Sequence, residues 1–165
     1  MAIAPPTSVL QTLMRPTREV ALELVDEHFP LMLVRWAGQL QAQQVLQMIR
    51  FFDKTVARGL REQRQVLHIC DAEHAEVPNQ LVRDMLIDWL IETASEQRQV
   101  MLGSFVIASD PLIRGVVASL KWATGRGDGI RVVANLDLAL EGARQRFVAA
   151  GLEVPEVLRV GSQPA

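Results

Sequence analysis

The densest group of potentially reactive side chains in this sequence lies in one short stretch. It contains His68, Cys70, Asp71, Glu73 and His74, and imidazole, thiolate and carboxylate groups are common zinc ligands. The spacing matches no standard zinc motif, and no base is evidently placed to activate Cys70 as a nucleophile. We therefore expect a buried histidine and a buried thiol here, and we predict neither a metal site nor a catalytic cysteine.

A second candidate is the glycine-rich run Gly125-Arg126-Gly127-Asp128-Gly129. A phosphate-binding loop leads from a strand into a helix, so that the amide groups at the helix start point at the anion. This run instead follows a predicted helix and precedes a predicted strand, and we interpret it as a helix end and a turn. Since the sequence also shows no paired carboxylates, nucleophile–base pair or cofactor fingerprint, we predict a protein that is not an enzyme and has no cofactor.

Three apolar runs predict parallel strands, because strands that are buried on both faces are apolar throughout. The runs are Val66–Cys70, Val100–Ala108 and Ile130–Ala134. Each run is followed by the pattern of one amphipathic helix. The predicted helix starts are Asn79, Asp110 and Asn135. Right-handed crossovers then bring three strand ends and three helix starts to one edge of the sheet, where α/β proteins usually bind ligands or partners.

Two more strands and a helix are predicted ahead of these units. Glu19–Asp26 alternates like a half-exposed edge strand, Leu31–Ala37 is a second strand, and Gln41–Arg58 is a helix that ends at Gly59. The complete order is ββαβαβαβα. The sequence thus predicts an α/β fold of a single domain, with a mixed five-stranded sheet and about four helices.

Composition limits the classes of partner and compartment. The chain has 165 residues, 49% of them hydrophobic, a net charge of −2 and one cysteine. We expect one domain over residues 19–151, between a flexible arm at 1–18 and an irregular tail at 152–165. The scattered charges argue against nucleic acid as a partner. The sequence shows neither a convincing signal peptide nor an apolar run long enough to span a membrane, so we expect a cytoplasmic protein.

The order of elements resembles the STAS domain family of the SpoIIAA-like type. The resemblance covers about residues 19 to 150. It rests on the stretches Leu31–Gly38, Val66–Asp71, Met101–Asp110 and Leu136–Leu140. It implies a non-catalytic regulatory module that binds proteins, as anti-sigma-factor antagonists do. The fold of this group is also similar to Sec14/CRAL-TRIO lipid-binding modules, which implies a small-ligand or lipid-binding module as the alternative.

One motif of that family is missing. Signalling members carry an Asp-Ser/Thr-Ser/Thr-Gly motif where the helix after the third strand begins, and a kinase phosphorylates one of its hydroxyls. Here the position reads Glu76-Val77-Pro78-Asn79-Gln80, and no residue from Asp71 to Gln80 bears a hydroxyl. We therefore predict a domain without phospho-switching at this loop. Ser109, at the start of another helix, is the alternative site of phosphorylation.

The predicted binding surface lies at the edge where the strands end. Its residues are Asp71, Glu76, Asn79 and Arg114, with Trp122 as an additional candidate. Arg114 could form an ion pair with Asp71 or contact a partner, and the sequence leaves both open. The expected partner is another protein or a second copy of this chain.

Overall fold

A mixed sheet of five strands organises the part of the chain that the computed structural model describes, residues 22–125 and 129–159. Its strands are β1 (Leu22–Val25), β2 (Leu31–Trp36), β3 (Val66–Asp71), β4 (Met101–Ile107) and β5 (Ile130–Val133). They lie side by side in sequence order, β1 is antiparallel to β2, and each later pair is parallel. The α/β class and the mixed five-stranded sheet are confirmed, and the Val66–Cys70 run lies in the central strand.

The described ranges contain six helices, two more than predicted. They are α1 (Ala42–Glu62), α2 (Gln80–Glu92), α3 (Ala94–Val100), α4 (Pro111–Thr124), α5 (Leu136–Ala149) and α6 (Glu156–Arg159). The single helix expected between β3 and β4 is divided at Thr93. The Thr93 hydroxyl donates to the Trp89 carbonyl and accepts from the Gln97 side-chain amide, both at 2.7 Å. One side chain therefore satisfies polar groups on both sides of the break.

The predicted domain boundaries can be compared with the structure only in part. Residues 1–21 and 160–165 lie outside the described part, and with them the arm at 1–18, the start of the Glu19–Asp26 strand and the end of the tail. In the described part of the tail, residues 152–155 have no regular structure, whereas α6 forms at Glu156–Arg159 and buries Leu158 in the second core. The boundaries at residues 19 and 151 stay a prediction.

Three helices begin at the same edge of the sheet, as the sequence predicts. Asn79, Asp110 and Asn135 precede α2, α4 and α5, and each follows the carboxyl end of a parallel strand. Their side-chain oxygens accept hydrogen bonds from the amides of Val82, Leu112 and Leu138 at 3.0, 2.8 and 2.9 Å. These bonds satisfy amides that the first turn of a helix leaves unpaired.

Helices cover both faces of the sheet. A first core lies between the sheet and α1 to α4, and a second core lies between the sheet and α5 and α6. Side chains alternate between the two, so that Val66 and Cys70 of β3 lie in the first core and Leu67 and Ile69 lie in the second. This two-sided burial is the reason that the β3 run is apolar throughout.

The prediction that the helix after β2 ends at Gly59 is wrong. α1 continues to Glu62 and ends at Gln63, whose φ of 53° is in the left-handed region. Gly59 is buried inside the helix, and a Cβ there would lie 2.7 Å from Val100 Cγ1 and 2.9 Å from the Arg64 carbonyl oxygen. The glycine is present because the last turn of α1 packs too closely for any side chain.

We expect Gly59→Ala to lower the free energy of unfolding by about 1–3 kcal/mol, since the added methyl group forces packed atoms apart. Gly115→Ala is the matched control, because Gly115 is an exposed residue inside α4 and a Cβ there meets nothing within 4 Å. That substitution should stabilise the protein by about 0.5–1 kcal/mol. Urea denaturation of both variants measures the difference, and equal effects would contradict the close packing at Gly59.

Candidate functional site

A ladder of three charged side chains crosses the sheet near the strand ends. Glu23, Arg35 and Asp71 occupy directly paired positions on β1, β2 and β3. Arg35 Nη1 lies 3.1 Å from Glu23 Oε2, and Arg35 Nε lies 3.7 Å from Asp71 Oδ2. Arg35 is buried, and a buried guanidinium requires such carboxylate partners to offset its lost hydration. Asp71 is therefore held within the sheet by a strand neighbour that the sequence analysis did not consider.

Of the two roles that the sequence leaves open for Arg114, the ion pair with Asp71 does not form. Asp71 belongs to the alternating set of β3 side chains that points to the α5 face, whereas α4 lies on the other face. Arg114 Nε instead donates to the carbonyl oxygen of Ala108 at 2.8 Å. Its guanidinium thus fastens the first turn of α4 to the end of β4 and remains exposed.

Glu73 connects the segments that follow β3 and β4. Its carboxylate accepts from the Ser109 amide at 3.0 Å and from the Ser109 hydroxyl, and its own amide donates to Asp71 Oδ1 at 3.1 Å. Ser109 therefore already has an anionic partner. A phosphate on this serine would break the bond to Glu73 and place two like charges side by side.

The segment after β3 is also anchored to the segment after β2. Gly38 N donates to the His74 carbonyl at 2.9 Å, and Glu76 N donates to the Gly38 carbonyl at 3.0 Å. The Trp36 indole donates to the same Gly38 carbonyl at 3.0 Å. Gly38 has a φ of 69°, a conformation that glycine adopts without strain. The loop that lacks a hydroxyl is therefore held in place by main-chain hydrogen bonds.

The predicted binding residues fall into two places. Asp71, Glu76, Asn79 and Arg114 all lie where strands end and helices begin. Trp122 is eight residues beyond Arg114 in α4, which is about 12 Å along the helix. Its side chain is 88% exposed. Trp122 therefore lies toward the opposite end of the molecule from the other four.

Two exposed leucines add an apolar component to the strand-end edge. Leu81 and Leu112 lie in the first turns of α2 and α4 and are 61% and 67% exposed. α2 and α4 pack beside each other on the same face of the sheet. The strand-end surface is defined here as Glu76, Asn79, Leu81, Leu112 and Arg114, supported from within by Asp71. Neither leucine is among the predicted binding residues, because each also fits the apolar stripe of its helix.

A cavity of about 120 Å³ lies in the first core, between β3, β4 and the helices α1 to α4. Its walls are apolar and aromatic. They include Trp36, Phe52, Leu86, Trp89, Ile113 and Val117. Among the lining residues the polar side chains are His68, Gln97 and Ser104, together with the Cys70 thiol, and none is acidic, lysine or arginine.

His68 is one of the polar groups in this wall. Its Nδ1 lies 2.7 Å from the hydroxyl of Ser104, its neighbour in the β3–β4 register. Its ring packs edge-on against Phe52, with 4.5 Å between the ring centroids. Within the described residues, the buried Nε2 atom has no hydrogen-bond partner. Burial lowers the pKa of His68 to about 3, so the ring is neutral at physiological pH.

The stretch of metal-ligand residue types does not converge in space. His68 and Cys70 point into the first core, and His74 lies exposed in the loop beyond β3. No group of three histidine, cysteine, aspartate or glutamate side chains within residues 22–125 and 129–159 is arranged to hold a metal ion. The pKa of Cys70 is raised to about 12 by burial and by the charge of Asp71, so the thiol is protonated. In the same two ranges, none of the helices combines the length and apolar character needed to cross a membrane.

Comparison with solved structures identifies the fold. No family profile and no curated protein matches the sequence. An uncharacterized DUF3478 protein with a SpoIIAA-like fold from Shewanella loihica PV-4 superimposes with a TM-score of 0.54 and 11% identity, covering 74% of this chain and 91% of that one. The anti-sigma factor antagonist SpoIIAA in its unphosphorylated form gives a TM-score of 0.50 and 13% identity, covering 74% and 96%. The chain therefore has a SpoIIAA-like fold, as the order of its elements predicts.

The neutral His68 makes the stability of the protein depend on pH. The unfolded chain binds a proton at His68 below its usual pKa of 6.5, and the folded chain does so only near 3. Stability is therefore complete above pH 6.5 and falls as the pH drops toward 3. We expect a loss of about 2 kcal/mol between pH 7.5 and pH 5 from this residue.

Urea unfolding of the wild type and of His68→Phe at both pH values measures this effect. The variant keeps an aromatic ring against Phe52, and the contributions of His28 and His74 cancel in the comparison. The wild type should lose about 2 kcal/mol more than the variant. Parallel losses in the two proteins would show that His68 titrates normally in the folded state.

The contact between Glu73 and Ser109 predicts the effect of negative charge at that serine. Ser109→Ala should cost about 1 kcal/mol, because it removes a hydroxyl that donates to a carboxylate. Ser109→Asp should cost more, and Glu73→Gln in the same chain should restore part of that loss. Thermal unfolding of the single and double variants checks the order, and an Asp variant as stable as the Ala variant would contradict it.

Proposed function

We propose that this protein is a non-catalytic regulatory module that binds another protein through the strand-end surface. The observation that carries the proposal is the exposure of Leu81 and Leu112 in neighbouring first turns, beside the charged groups of Glu76 and Arg114. Interfaces combine an apolar centre with a polar rim and favour arginine among the charged residues. A SpoIIAA-like fold supports this class of function, since SpoIIAA itself is an anti-sigma factor antagonist.

The roles of the predicted site residues differ. Asp71 and Asn79 support the surface structurally, because Asp71 pairs with Arg35 and Asn79 caps α2. Glu76 and Arg114 are the charged contacts for the partner. Trp122 is a second contact region at the far end of α4, suited to a partner that extends along the helix. We place the protein in the cytoplasm, since its single cysteine forms no internal disulfide.

Binding in this proposal does not use phosphorylation of the loop after β3. The residues from Asp71 to Gln80 lack a hydroxyl, and main-chain bonds to Gly38 already order the segment. Ser109 is the remaining site at which a phosphate would change this edge, by separating the segments that Glu73 joins. Phosphosite mapping of the protein from its native cells tests the proposal, and a modified Ser109 would show that the edge is regulated.

The binding surface is tested by replacing one exposed leucine with a charged residue and by reversing the charge of the arginine. Leu112→Asp and Arg114→Glu should each weaken partner association by about 1–3 kcal/mol, because interface energy is concentrated in a few central residues. Val148→Asp is the matched control, since Val148 is 56% exposed near the other end of α5. It should leave binding unchanged.

The measurement has two parts. Affinity capture from native cells followed by mass spectrometry identifies partners that the wild type and Val148→Asp retain and that the two edge variants lose. Analytical ultracentrifugation of the same proteins tests self-association. Thermal midpoints report folding, and Arg114→Glu should cost stability only through its bond to Ala108. Undiminished binding by both edge variants would exclude this surface.

A further inference from the structure

The first-core cavity has a chemical character that protein binding at the strand ends does not explain. It lies between the sheet and four helices, is partly open to solvent, and its walls carry no ionised side chain among the described lining residues. A buried charge without a partner is strongly unfavourable in such surroundings. The cavity therefore excludes ions and admits neutral, mostly apolar molecules.

The size of the cavity restricts the occupant further. A protein cavity of about 150 Å³ with apolar walls stays dry and binds benzene. At about 120 Å³, this cavity accommodates a molecule on the scale of one small ring. A complete lipid, which the similarity to Sec14-like modules suggested, would not be enclosed by a space of this size.

One buried nitrogen atom in the cavity wall lacks a hydrogen-bond partner within the described residues. His68 Nε2 is buried and, within the described residues, has no hydrogen-bond partner, although a buried polar atom without one is unfavourable. A trapped water molecule normally needs two to four polar partners. The other lining groups, Ser104 and Gln97, already bond to His68 Nδ1 and Thr93. A lone water is therefore poorly held beside Nε2.

We propose that this cavity binds a small, uncharged, mostly apolar molecule that carries one hydroxyl group, and that His68 Nε2 is the hydrogen-bond partner of that hydroxyl. A hydroxyl both donates and accepts, so it pairs with Nε2 whichever tautomer the bond to Ser104 selects. The apolar remainder contacts the aromatic and aliphatic walls. This site is separate from the strand-end surface and does not depend on the proposed protein partner.

Benzyl alcohol and ethylbenzene are suitable probes, because they have nearly the same shape and differ in the hydroxyl group. Trp36 and Trp89 line the cavity, so binding changes their fluorescence. The exposed Trp122 is replaced by phenylalanine in the test protein to remove its signal. Both probes should give saturable changes, and the benzoate ion, of similar size but charged, should give none.

Variants assign the contact to His68. His68→Phe should weaken benzyl alcohol binding about tenfold more than ethylbenzene binding, since only the alcohol loses a hydrogen bond. Val117→Phe, which adds a ring to the wall, should abolish binding of both probes. Val148 is exposed in α5 on the other face of the sheet and does not line the cavity, so Val148→Asp should change neither affinity.

Nitrogen NMR of histidine-labelled wild-type protein gives a readout that needs no His68 variant. Benzyl alcohol should shift the Nε2 resonance of His68, and ethylbenzene should shift it much less. The proposal is overturned if neither probe binds saturably, if benzoate binds as well as the alcohol, or if both probes shift Nε2 equally. Equal losses of affinity for the two probes in a folded His68→Phe protein would also overturn it.

Discussion

The central strand β3 must be buried on both faces, and the rest of the structure follows from that constraint. Helices are required on each side, and each side chain of β3 must be apolar or satisfied by a specific partner. Leu67 and Ile69 meet the requirement on the α5 face, and Val66 and Cys70 meet it on the other. His68 meets the requirement at one ring nitrogen, because Nδ1 bonds to Ser104 and Nε2 has no partner within the described residues. The polar exception in the central strand is thus also one of the polar groups of the cavity.

At the carboxyl end of β3 the side chains are charged, and they are satisfied by ion pairs and hydrogen bonds and not by apolar packing. Asp71 reaches Arg35 across the sheet, and two positions later Glu73 reaches Ser109 at the start of the next unit. Both contacts connect neighbouring strands, so charged side chains order the edge before any partner is bound. Glu76, Arg114 and the two leucines remain exposed at this edge, so their side chains are accessible to a partner.

The sequence predicted what depends on local pattern. Apolar runs gave the strands, and Asn79, Asp110 and Asn135 gave three helix starts, since capping is a property of a few consecutive residues. Features that depend on distant parts of the chain were missed or wrong. A glycine at position 59 fits a helix end as well as a close contact inside a helix, and only the position of Val100 distinguishes the two. The sequence likewise does not show that Asp71 and α4 lie on opposite faces of the sheet. The cavity arises from four helices packing on one sheet, and no single segment encodes it.

The sheet has one further consequence, which concerns the order of synthesis. Its strands lie in the same order in space as along the chain, so each can pair with its predecessor as it leaves the ribosome, and none must insert between two that are already paired. The helix that closes the second core, α5, comes after all five strands. Until it is made, Leu31, Leu67 and Phe105 have no covering layer, and a growing sheet with one open apolar face is prone to aggregation. A growing chain that ends before Leu136 therefore exposes this face, and the sheet is covered on both sides only once α5 has been made.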